Sequence, residues 1–318
     1  MNLSRHEISY RLRFQFSDLT LFSVLLPVSA RQLTLTESMD AAAEPSLPEV
    51  TIPANGPAVL IRGVPVRSDS GSLERKGCSI CYILSKQPRF YITLDGSFEQ
   101  YIQDNFSSKT RSTLKRKVKK FRERCGGELA WKSYSAAGDM GEFHKHARFV
   151  AERSYQEKLF GAGIPEDDSF LARMQKDAQM DKVRAYLLFH GELPVSYLYL
   201  RATDDTLIYE FLGYLPEYAQ WSVGTVLQWL ALESLFEEDR YRLLDFTEGD
   251  GEHKRMFATS SVQVANVLFL RWSVLNYMLV VSHRCTNRFS GWCGGAAKRL
   301  GVHRRLKRFI RFGRAPVP

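Results

Sequence analysis

The chain has 318 residues, of which 44% are hydrophobic and 25% charged, an ordinary globular composition that suffices for one large domain or two small ones. Its net charge of +9 raises the question of a nucleic-acid-binding domain. However, 11 of the 44 Lys and Arg residues lie in residues 263–318, which have no acidic side chain, so the other 262 residues hold 33 basic and 35 acidic side chains. The body of the chain is therefore nearly neutral, which argues against a uniformly basic domain.

The five cysteines are an odd number and form no regular disulfide framework, which fits a reduced, cytosolic environment. Cys78 and Cys81 form a C-x-x-C pair, but no second pair follows at the spacing of a zinc ribbon. The sequence therefore predicts no metal site, and we expect both side chains to be small buried hydrophobes.

Two apolar runs resemble targeting or membrane segments only in part. Leu19–Ala30 is short, contains Pro27 and lacks a cleavage site, so it is predicted to be a strand. Val262–Val281 carries Arg271 and two Asn residues near where a bilayer centre would lie, where such groups are costly. We therefore expect no spanning helix and a cytoplasmic protein.

The first half of the chain is predicted to form a small leading α/β lobe followed by three helices. Up to about Arg67 the sequence has strand-like pieces without helical periodicity, and a Gly/Ser loop follows. The predicted elements after it are strands at Cys78–Leu84, Phe90–Leu94 and Glu128–Tyr134 and helices at Ser97–Asn105, Ser108–Cys125 and Met140–Leu159.

The second of these helices is unusually basic. Its stretch from Lys109 to Arg124 has nine basic side chains and one Glu, whereas Leu114, Val118 and Phe121 form an apolar face at helical spacing. The basic surface is either a solvated face or a contact for phosphate groups or another polyanion. Both interpretations are kept open here.

The second half predicts an antiparallel meander, a loop, a helix and a closing strand. The meander strands are Val183–Phe189, Pro194–Arg201 and Thr206–Leu212, the loop is Gly213–Trp221, the helix is Ser222–Glu238 and the last strand is Arg242–Phe246. This order would place a helix N-terminus beside a sheet, where free amides and the helix dipole bind anions. Ser222 could cap that helix, and Gly224 would allow a close approach to a ligand.

Three segments, in this order and spacing, resemble a known family. They are Phe106–Arg111, Gly213–Tyr218 followed by Ser222-Val223-Gly224, and Asp245–Asp250 followed by Lys254. Residues 107–257 resemble the CelD/BioF2-like acetyltransferases of the GNAT superfamily, which are related to the Fem aminoacyl ligases. The resemblance implies an α+β protein with a mixed sheet and a GNAT fold, often doubled, with the leading lobe degenerate.

Several expectations follow from this resemblance. The domains would be a degenerate GNAT-like lobe (1–106), a catalytic GNAT lobe (107–270) and a basic helical tail (271–318). The donor would be acetyl-CoA or another acyl-CoA, and no metal is implied. The turn formed by Ser222, Val223, Gly224 and Thr225 would hold the pyrophosphate of the donor.

The chemistry of amine acylation suggests four catalytic candidates. An acceptor ammonium must lose a proton before it attacks the thioester, and Glu210, next to the donor loop, is the first candidate for the base. Its alternative role is a cross-strand salt bridge. Asp245 and Glu248 are predicted to orient the acceptor, although Asp245 could instead orient the following turn. Lys254 would neutralise an oxyanion or a substrate phosphate, or else form a surface ion pair.

The leading functional prediction is an acyl-CoA-dependent N-acyltransferase that acts on an amino sugar, a polysaccharide precursor or a related metabolite. One alternative is a Fem-type ligase, in which the basic helix and tail would bind the phosphates of aminoacyl-tRNA. Another is a non-catalytic GNAT-fold binding protein. The tail mixes basic and apolar residues from Lys298 to Phe312, so it would either bind an anionic surface at the inner membrane or pack on the body.

Overall fold

The computed structural model describes residues 6–16, 19–50, 52, 56–67, 69–154 and 163–299. The chain forms two compact units, one made of residues 1–87 and 263–318 and the other of residues 88–262. The first unit is thus discontinuous in sequence, whereas the predicted boundaries at residues 106 and 270 divided the chain into consecutive segments. The interpretation of the leading lobe as a degenerate GNAT lobe stays a prediction.

The described residues contain eleven strands and eight α-helices. The strands are β1 (His6–Phe16), β2 (Leu19–Gln32), β3 (Ala58–Pro65), β4 (Leu73–Lys76), β5 (Ser79–Thr93), β6 (Ala130–Tyr134), β7 (Val183–His190), β8 (Leu193–Thr203), β9 (Thr206–Tyr214), β10 (Leu243–Glu248) and β11 (Ser260–Arg271). The helices are α1 (Leu35–Ala42), α2 (Phe98–Asn105), α3 (Ser108–Arg124), α4 (Met140–Arg153), α5 (Asp168–Gln179), α6 (Val223–Glu238), α7 (Glu252–Phe257) and α8 (Val274–Arg299).

The first unit contains a sheet with one long helix packed on it. Strand β2 pairs antiparallel with β1 and parallel with β3, β3 pairs antiparallel with β11, and β4 pairs antiparallel with β5. Helix α8 packs on β1, and its Val280 joins Leu60, Tyr82 and Leu268 in a buried cluster. Because β-branched and aromatic side chains alternate along these strands, one face of each is available to this core.

The second unit is built around a mixed sheet in the order β6-β7-β8-β9-β10, completed by residues 88–93 of β5. The strands β7, β8 and β9 form the predicted antiparallel meander, whereas β10 is parallel to β9. A parallel neighbour requires a crossover connection, and helix α6 supplies it. The predicted α+β class with a mixed sheet is confirmed.

Helix α6 lies at the centre of this unit. It packs on β7, β8 and β9, and helices α2 and α3 pack on it in turn. Most of its residues are buried, including Gln228, because apolar side chains occur on all sides of the helix rather than on one stripe. The site described below therefore begins at the end of a helix that is fixed from several directions.

Several sequence-based boundaries need correction. Helix α1 interrupts a region predicted without helices; its N-terminus has a capping box in which Thr34 and Glu37 each bind the backbone amide of the other. The two strands predicted around Pro88 are the single strand β5, and α5 was not predicted at all. The predicted helix to Leu159 ends at Arg153, because Ser154 is extended.

The cysteine and tail predictions have mixed outcomes. Cys81 is buried as expected, but Cys78 is exposed, because it lies in the turn before β5 and not within the strand. None of the helices within the described ranges has the length and apolar character that a membrane-crossing helix requires. The basic residues of the tail beyond Arg299 lie outside the described residues, so the predicted surface anchor is not placed.

Candidate acyl-donor and acceptor site

A cavity of about 650 Å³ opens in the second unit where two parallel strands part. Strands β9 and β10 pair only from Thr206–Ile208 opposite Leu243–Asp245, and both continue beyond this ladder. The cavity is lined by the next residues of each strand, by the start of α6 and by α7. Open sheets gather ligand groups at such points, because neighbouring strand ends leave a crevice there.

A β-bulge in β9 sets the geometry of one wall. Tyr209 pairs with Leu200 and Phe211 pairs with Tyr199, so Glu210 has no residue opposite it on β8. A bulge of this kind bends its strand and redirects a side chain, and bulges are common next to functional sites. Here it turns β9 at the level where the ladder to β10 has ended, and Glu210 lines the cavity.

The N-terminus of helix α6 forms the second wall. The short 3₁₀ segment Pro216–Trp221 leads into Ser222, whose φ of 54° is left-handed and which breaks the turn just before the helix begins. The first intrahelical bond runs from the Val226 amide to the Ser222 carbonyl oxygen, at 3.0 Å. The expected side-chain cap by Ser222 is not formed.

Three backbone amides are consequently available at this helix end. Within the described residues, the amides of Val223, Gly224 and Thr225 have no hydrogen-bond partner, and all three residues line the cavity. Unpaired amides at the positive end of a 16-residue helix are suited to bind an anion, since both the donors and the dipole favour negative charge. The structure thus places all four predicted donor-binding residues, including Ser222, on one cavity wall.

Gly224 allows the helix to approach β9 closely. A Cβ atom at this position would lie 3.3 Å from Tyr214 Cδ1 and 3.4 Å from Leu212 Cδ2, both of which belong to residues that line the cavity. A larger residue would therefore have to displace the Tyr214 ring. Gly224 thus brings the start of α6 close to β9, between two walls of the site.

Glu210 is an ion-paired side chain at the cavity wall. Arg201 Nε donates to Glu210 Oε1 over 2.6 Å, and Arg173 Nη2 lies 3.7 Å from Oε2. The Glu210 side chain is only 15% exposed. Glu210 therefore both forms the cross-strand ion pair and lines the cavity. The ion pair holds its carboxylate in one orientation.

Asp245 does not line the cavity. It is buried against Arg89, whose Nη2 lies 2.6 Å from Asp245 Oδ2, and it also accepts a 2.8 Å hydrogen bond from the Thr247 amide. Thr247 has a left-handed φ of 62°, so this bond fixes the turn that ends β10. Asp245 is thus placed to orient the backbone of the turn that borders the site.

Lys254 and Glu248 are joined through the backbone of the same turn. Lys254 Nζ donates to the carbonyl oxygens of Glu248, at 3.1 Å, and Thr247, at 3.4 Å. Burial lowers the pKa of Lys254, although Asp245 and Glu248 oppose this shift. Lys254 lines the cavity, whereas the Glu248 side chain is not among its lining groups.

His253 is a cavity residue that sequence reasoning missed. Its ring centroid is 6.3 Å from the Tyr209 ring and 6.4 Å from the Phe246 ring. Desolvation at the wall and, secondarily, the charge of Lys254 lower the pKa of His253, so the imidazole is neutral near pH 7. No periodic pattern marks His253 in the sequence, because α7 is only six residues long and half of its residues are charged.

Two further polar groups complete the lining. Tyr209 Oη and Gln228 Nε2 are buried and have no hydrogen-bond partner within the described residues, and both residues line the cavity. Burial raises the pKa of Tyr209, so its hydroxyl stays protonated and can donate. Since buried polar groups are normally paired, these two are suited to a ligand or to ordered water.

The basic helix α3 lies beside the donor wall. Lys117 lines the cavity, and the Lys120 ammonium lies 4.7 Å from the centroid of the Trp221 ring, just before α6. Arg124 lies 5.9 Å from the same ring. The side chains of α3 thus add positive charge to the helix end that carries the unpaired amides.

Comparison with known proteins agrees with this architecture. Residues 108–255, slightly less than half of the chain, match the family model described as an acetyltransferase (GNAT) domain. No curated protein sequence matches the chain. The chain therefore contains a GNAT acetyltransferase-like domain with the fold expected of that class.

Solved structures show only distant likeness. FemX is 12% identical, with 87% of this chain and 90% of FemX covered and a TM-score of 0.48. L-PGS from Bacillus licheniformis is 12% identical, with 72% of each chain covered and a TM-score of 0.45. A GCN5-related N-acetyltransferase from Kribbella flavida is 10% identical, with 86% of this chain and 92% of that chain covered and a TM-score of 0.35. At these sequence identities and TM-scores, the comparisons carry no information about the activity or the substrate of this chain.

Proposed function

We propose that this protein is an acyl-CoA-dependent N-acyltransferase of the CelD/BioF2-like type that acts on the amine of an amino sugar, a polysaccharide precursor or a related metabolite. One observation carries the proposal. The same cavity is lined by three helix-end amides that have no hydrogen-bond partner within the described residues and by the carboxylate of Glu210, which is held by an ion pair. The first feature suits a diphosphate and the second suits an amine acceptor. Their common cavity suits a transfer between the two.

The donor fits the wall formed by α6. The amides of Val223, Gly224 and Thr225 would bind its pyrophosphate, and Lys117 and Lys120 would add charge complementarity near its other phosphate. The missing Cβ at Gly224 leaves the amides within reach of the ligand. When bound, acetyl-CoA supplies an activated acyl group on sulfur, which the acceptor nitrogen takes up with release of the thiol.

Glu210 is the proposed proton acceptor. Arg201 holds its carboxylate in one orientation, and a carboxylate can take a proton from the acceptor ammonium, directly or through a water molecule. Tyr209 and Gln228 have unpaired groups that can orient the acceptor or the acyl carbonyl. Lys254, held by the turn after β10, adds positive charge where an oxyanion would develop.

The direct test is transfer of an acetyl group from acetyl-CoA to a panel of amino sugars and simple amines, followed by thiol release and by mass spectrometry of the products. A product heavier by one acetyl group on nitrogen supports the proposal. Tight binding of acetyl-CoA without transfer to any acceptor would instead favour a non-catalytic binding protein. Failure of acetyl-CoA to bind at all would overturn the assignment of the donor wall.

The basic surface of α3 favours one second candidate, a Fem-type ligase that takes its aminoacyl group from tRNA. Seven of the nine basic side chains of this helix are exposed, and an eighth, Lys117, lines the cavity. Neutralisation of tRNA phosphates would make binding steeply dependent on salt. Aminoacyl-tRNA that binds and donates, while acetyl-CoA does neither, would replace the leading proposal by this one.

A further inference from the structure

Helix α8 of the first unit has two apolar faces, of which only one is covered. Val280 and His283 lie on the buried face. Val274, Met278, Phe289 and Trp292 lie on the opposite side, at i, i+4, i+15 and i+18, and are between 53% and 71% exposed. A helix that needed only to pack on its own sheet would require a single apolar stripe.

The tip of the β1–β2 hairpin extends this exposed surface. The Phe16 ring lies 5.9 Å from the Phe289 ring, and Phe16 is paired with Leu19 across the hairpin, so both side chains point to the same face. Leu19 is 53% exposed and Phe22 is 55% exposed. We call the surface formed by Leu19, Phe22, Val274, Met278, Phe289 and Trp292 the apolar patch.

The charge around the patch has one predominant sign. Arg288 is exposed and directly precedes Phe289 on α8, whereas Arg284, one helical turn earlier, is partly buried. The whole sequence after Glu252 contains no Asp or Glu. Asp18 lies outside the described residues, and the described residues at the tip of the hairpin carry no acidic side chain.

We propose that the apolar patch docks the first unit on an anionic lipid surface. Aromatic and aliphatic side chains would enter the boundary between headgroups and acyl chains, while the exposed Arg288 beside them meets lipid phosphates. Aromatic residues such as Phe289 and Trp292, stacked at 6.3 Å, suit this boundary because their rings are apolar and polarisable. The inference does not depend on the proposed acyl transfer.

A second copy of the chain is a poorer occupant for this surface. A two-fold contact through α8 would bring the exposed Arg288 of each copy against a helix that has no acidic residue. Like charges across such a contact oppose association, whereas anionic headgroups neutralise them. Charge complementarity therefore selects the lipid surface.

The test is co-sedimentation of the full chain with vesicles of equal parts phosphatidylglycerol and phosphatidylcholine, and with vesicles of phosphatidylcholine alone. The variant Met278→Ser/Phe289→Ser/Trp292→Ser should bind the anionic vesicles about tenfold more weakly or worse, because three exposed apolar groups no longer enter the lipid. The matched control Trp131→Ser/Met180→Ser removes exposed apolar groups from the second unit and should sediment like wild type. All proteins should retain their far-ultraviolet circular dichroism.

A charge variant separates the two contributions. Arg288→Gln should weaken binding to anionic vesicles about fivefold and leave phosphatidylcholine binding unchanged. Sedimentation of the triple variant equal to that of wild type would overturn the proposal, since the tail beyond Arg299 would then suffice. A wild-type dimer by light scattering that the triple variant abolishes, without vesicle binding by either protein, would assign the patch to a second copy instead.

Discussion

Glu210 and His253 stand on the walls of one cavity and offer two different proton acceptors. We expect Glu210→Gln to lower kcat by about 10² to 10⁴, because the neutral amide cannot take the proton of the acceptor ammonium. KM for acetyl-CoA should change little, since Glu210 is not on the α6 wall. Steady-state kinetics with a range of acetyl-CoA and acceptor concentrations measures both effects.

His253→Gln is the matched comparison for this prediction. The pKa of His253 is lowered below 6.5, so its ring is neutral at pH 7. If His253 were the base, the wild-type enzyme would lose activity only as pH falls through that lowered pKa. If Glu210 is the base, the variant keeps most of kcat and the same pH profile as wild type. A larger loss in His253→Gln than in Glu210→Gln would transfer the role to the imidazole.

Gly224 tests the donor wall at the scale of one residue. Gly224→Val or the milder Gly224→Ala should weaken acetyl-CoA binding about tenfold or more, because the new Cβ displaces Tyr214 and disturbs hydrogen bonds to a charged ligand. Isothermal calorimetry measures the change. Gly141→Ala, on helix α4 where a Cβ meets nothing within 4 Å, is the control and should bind like wild type. Unchanged affinity in the Gly224 variants would remove the donor from this wall.

At the scale of elements, the buried Arg89–Asp245 pair joins the end of β5 to β10. Both side chains are at most 6% exposed, so Arg89→Met leaves an uncompensated buried carboxylate. We expect the free energy of unfolding in urea to fall by about 3–5 kcal/mol. The comparable exposed pair Arg255–Asp250 should contribute at most about 1 kcal/mol when Arg255→Met removes it. Equal effects of the two substitutions would contradict this account.

His283 attaches helix α8 to two strands of the first unit. Its Nδ1 lies 2.7 Å from Tyr82 Oη and its Nε2 lies 3.1 Å from the Arg13 carbonyl oxygen. A carbonyl oxygen only accepts, so Nε2 carries a proton, and in the neutral ring Nδ1 accepts from the tyrosine hydroxyl. Burial favours this neutral ring and lowers the pKa of His283.

The sign of the resulting pH dependence follows from linkage. The pKa of His283 is lower in the folded protein than its ordinary value of 6.5. As pH drops below about 6.5, the unfolded chain therefore binds a proton before the folded protein does, and the free energy of unfolding should fall until the pH reaches the folded pKa. Above about pH 6.5 the contribution is complete. His283→Gln, which can still donate and accept, should flatten this dependence between about pH 7 and 5 in thermal melts. A variant that keeps the wild-type slope would place the pH sensitivity elsewhere.

At the scale of the whole molecule, donor binding should appear as stability. Any ligand that binds only the folded state raises the free energy of unfolding, by about 2.7 kcal/mol at a hundredfold excess over Kd. Acetyl-CoA should therefore raise Tm of the wild-type protein. The Gly224→Val variant should show little or no rise at the same concentration, and Gly141→Ala should show the full rise. Equal rises in all three proteins would indicate binding away from α6.

Local pattern was enough to predict the parts of this protein that local interactions form. The periodicities of 2 and 3.6 residues located the meander β7–β9, the basic helix α3 and the long helix α6, because each depends on which face of a short segment is apolar. The loop before α6 and Gly224, the second residue of this helix, marked the helix end that faces the cavity. Short helices such as α1 and α7 carried too few turns to show a period.

Tertiary structure alone decided the chemistry of the site. The parting of β9 from β10, the turning of Asp245 toward Arg89, 156 residues away, and the place of His253 at the wall depend on contacts between distant segments. The grouping of residues 263–318 with residues 1–87 in the first unit also depends on contacts between segments that are distant in sequence. A sequence pattern indicates which face of an element is apolar. The pairing of strands and the partner of a buried charge are decided only when all the elements pack together, because they depend on contacts across the whole chain.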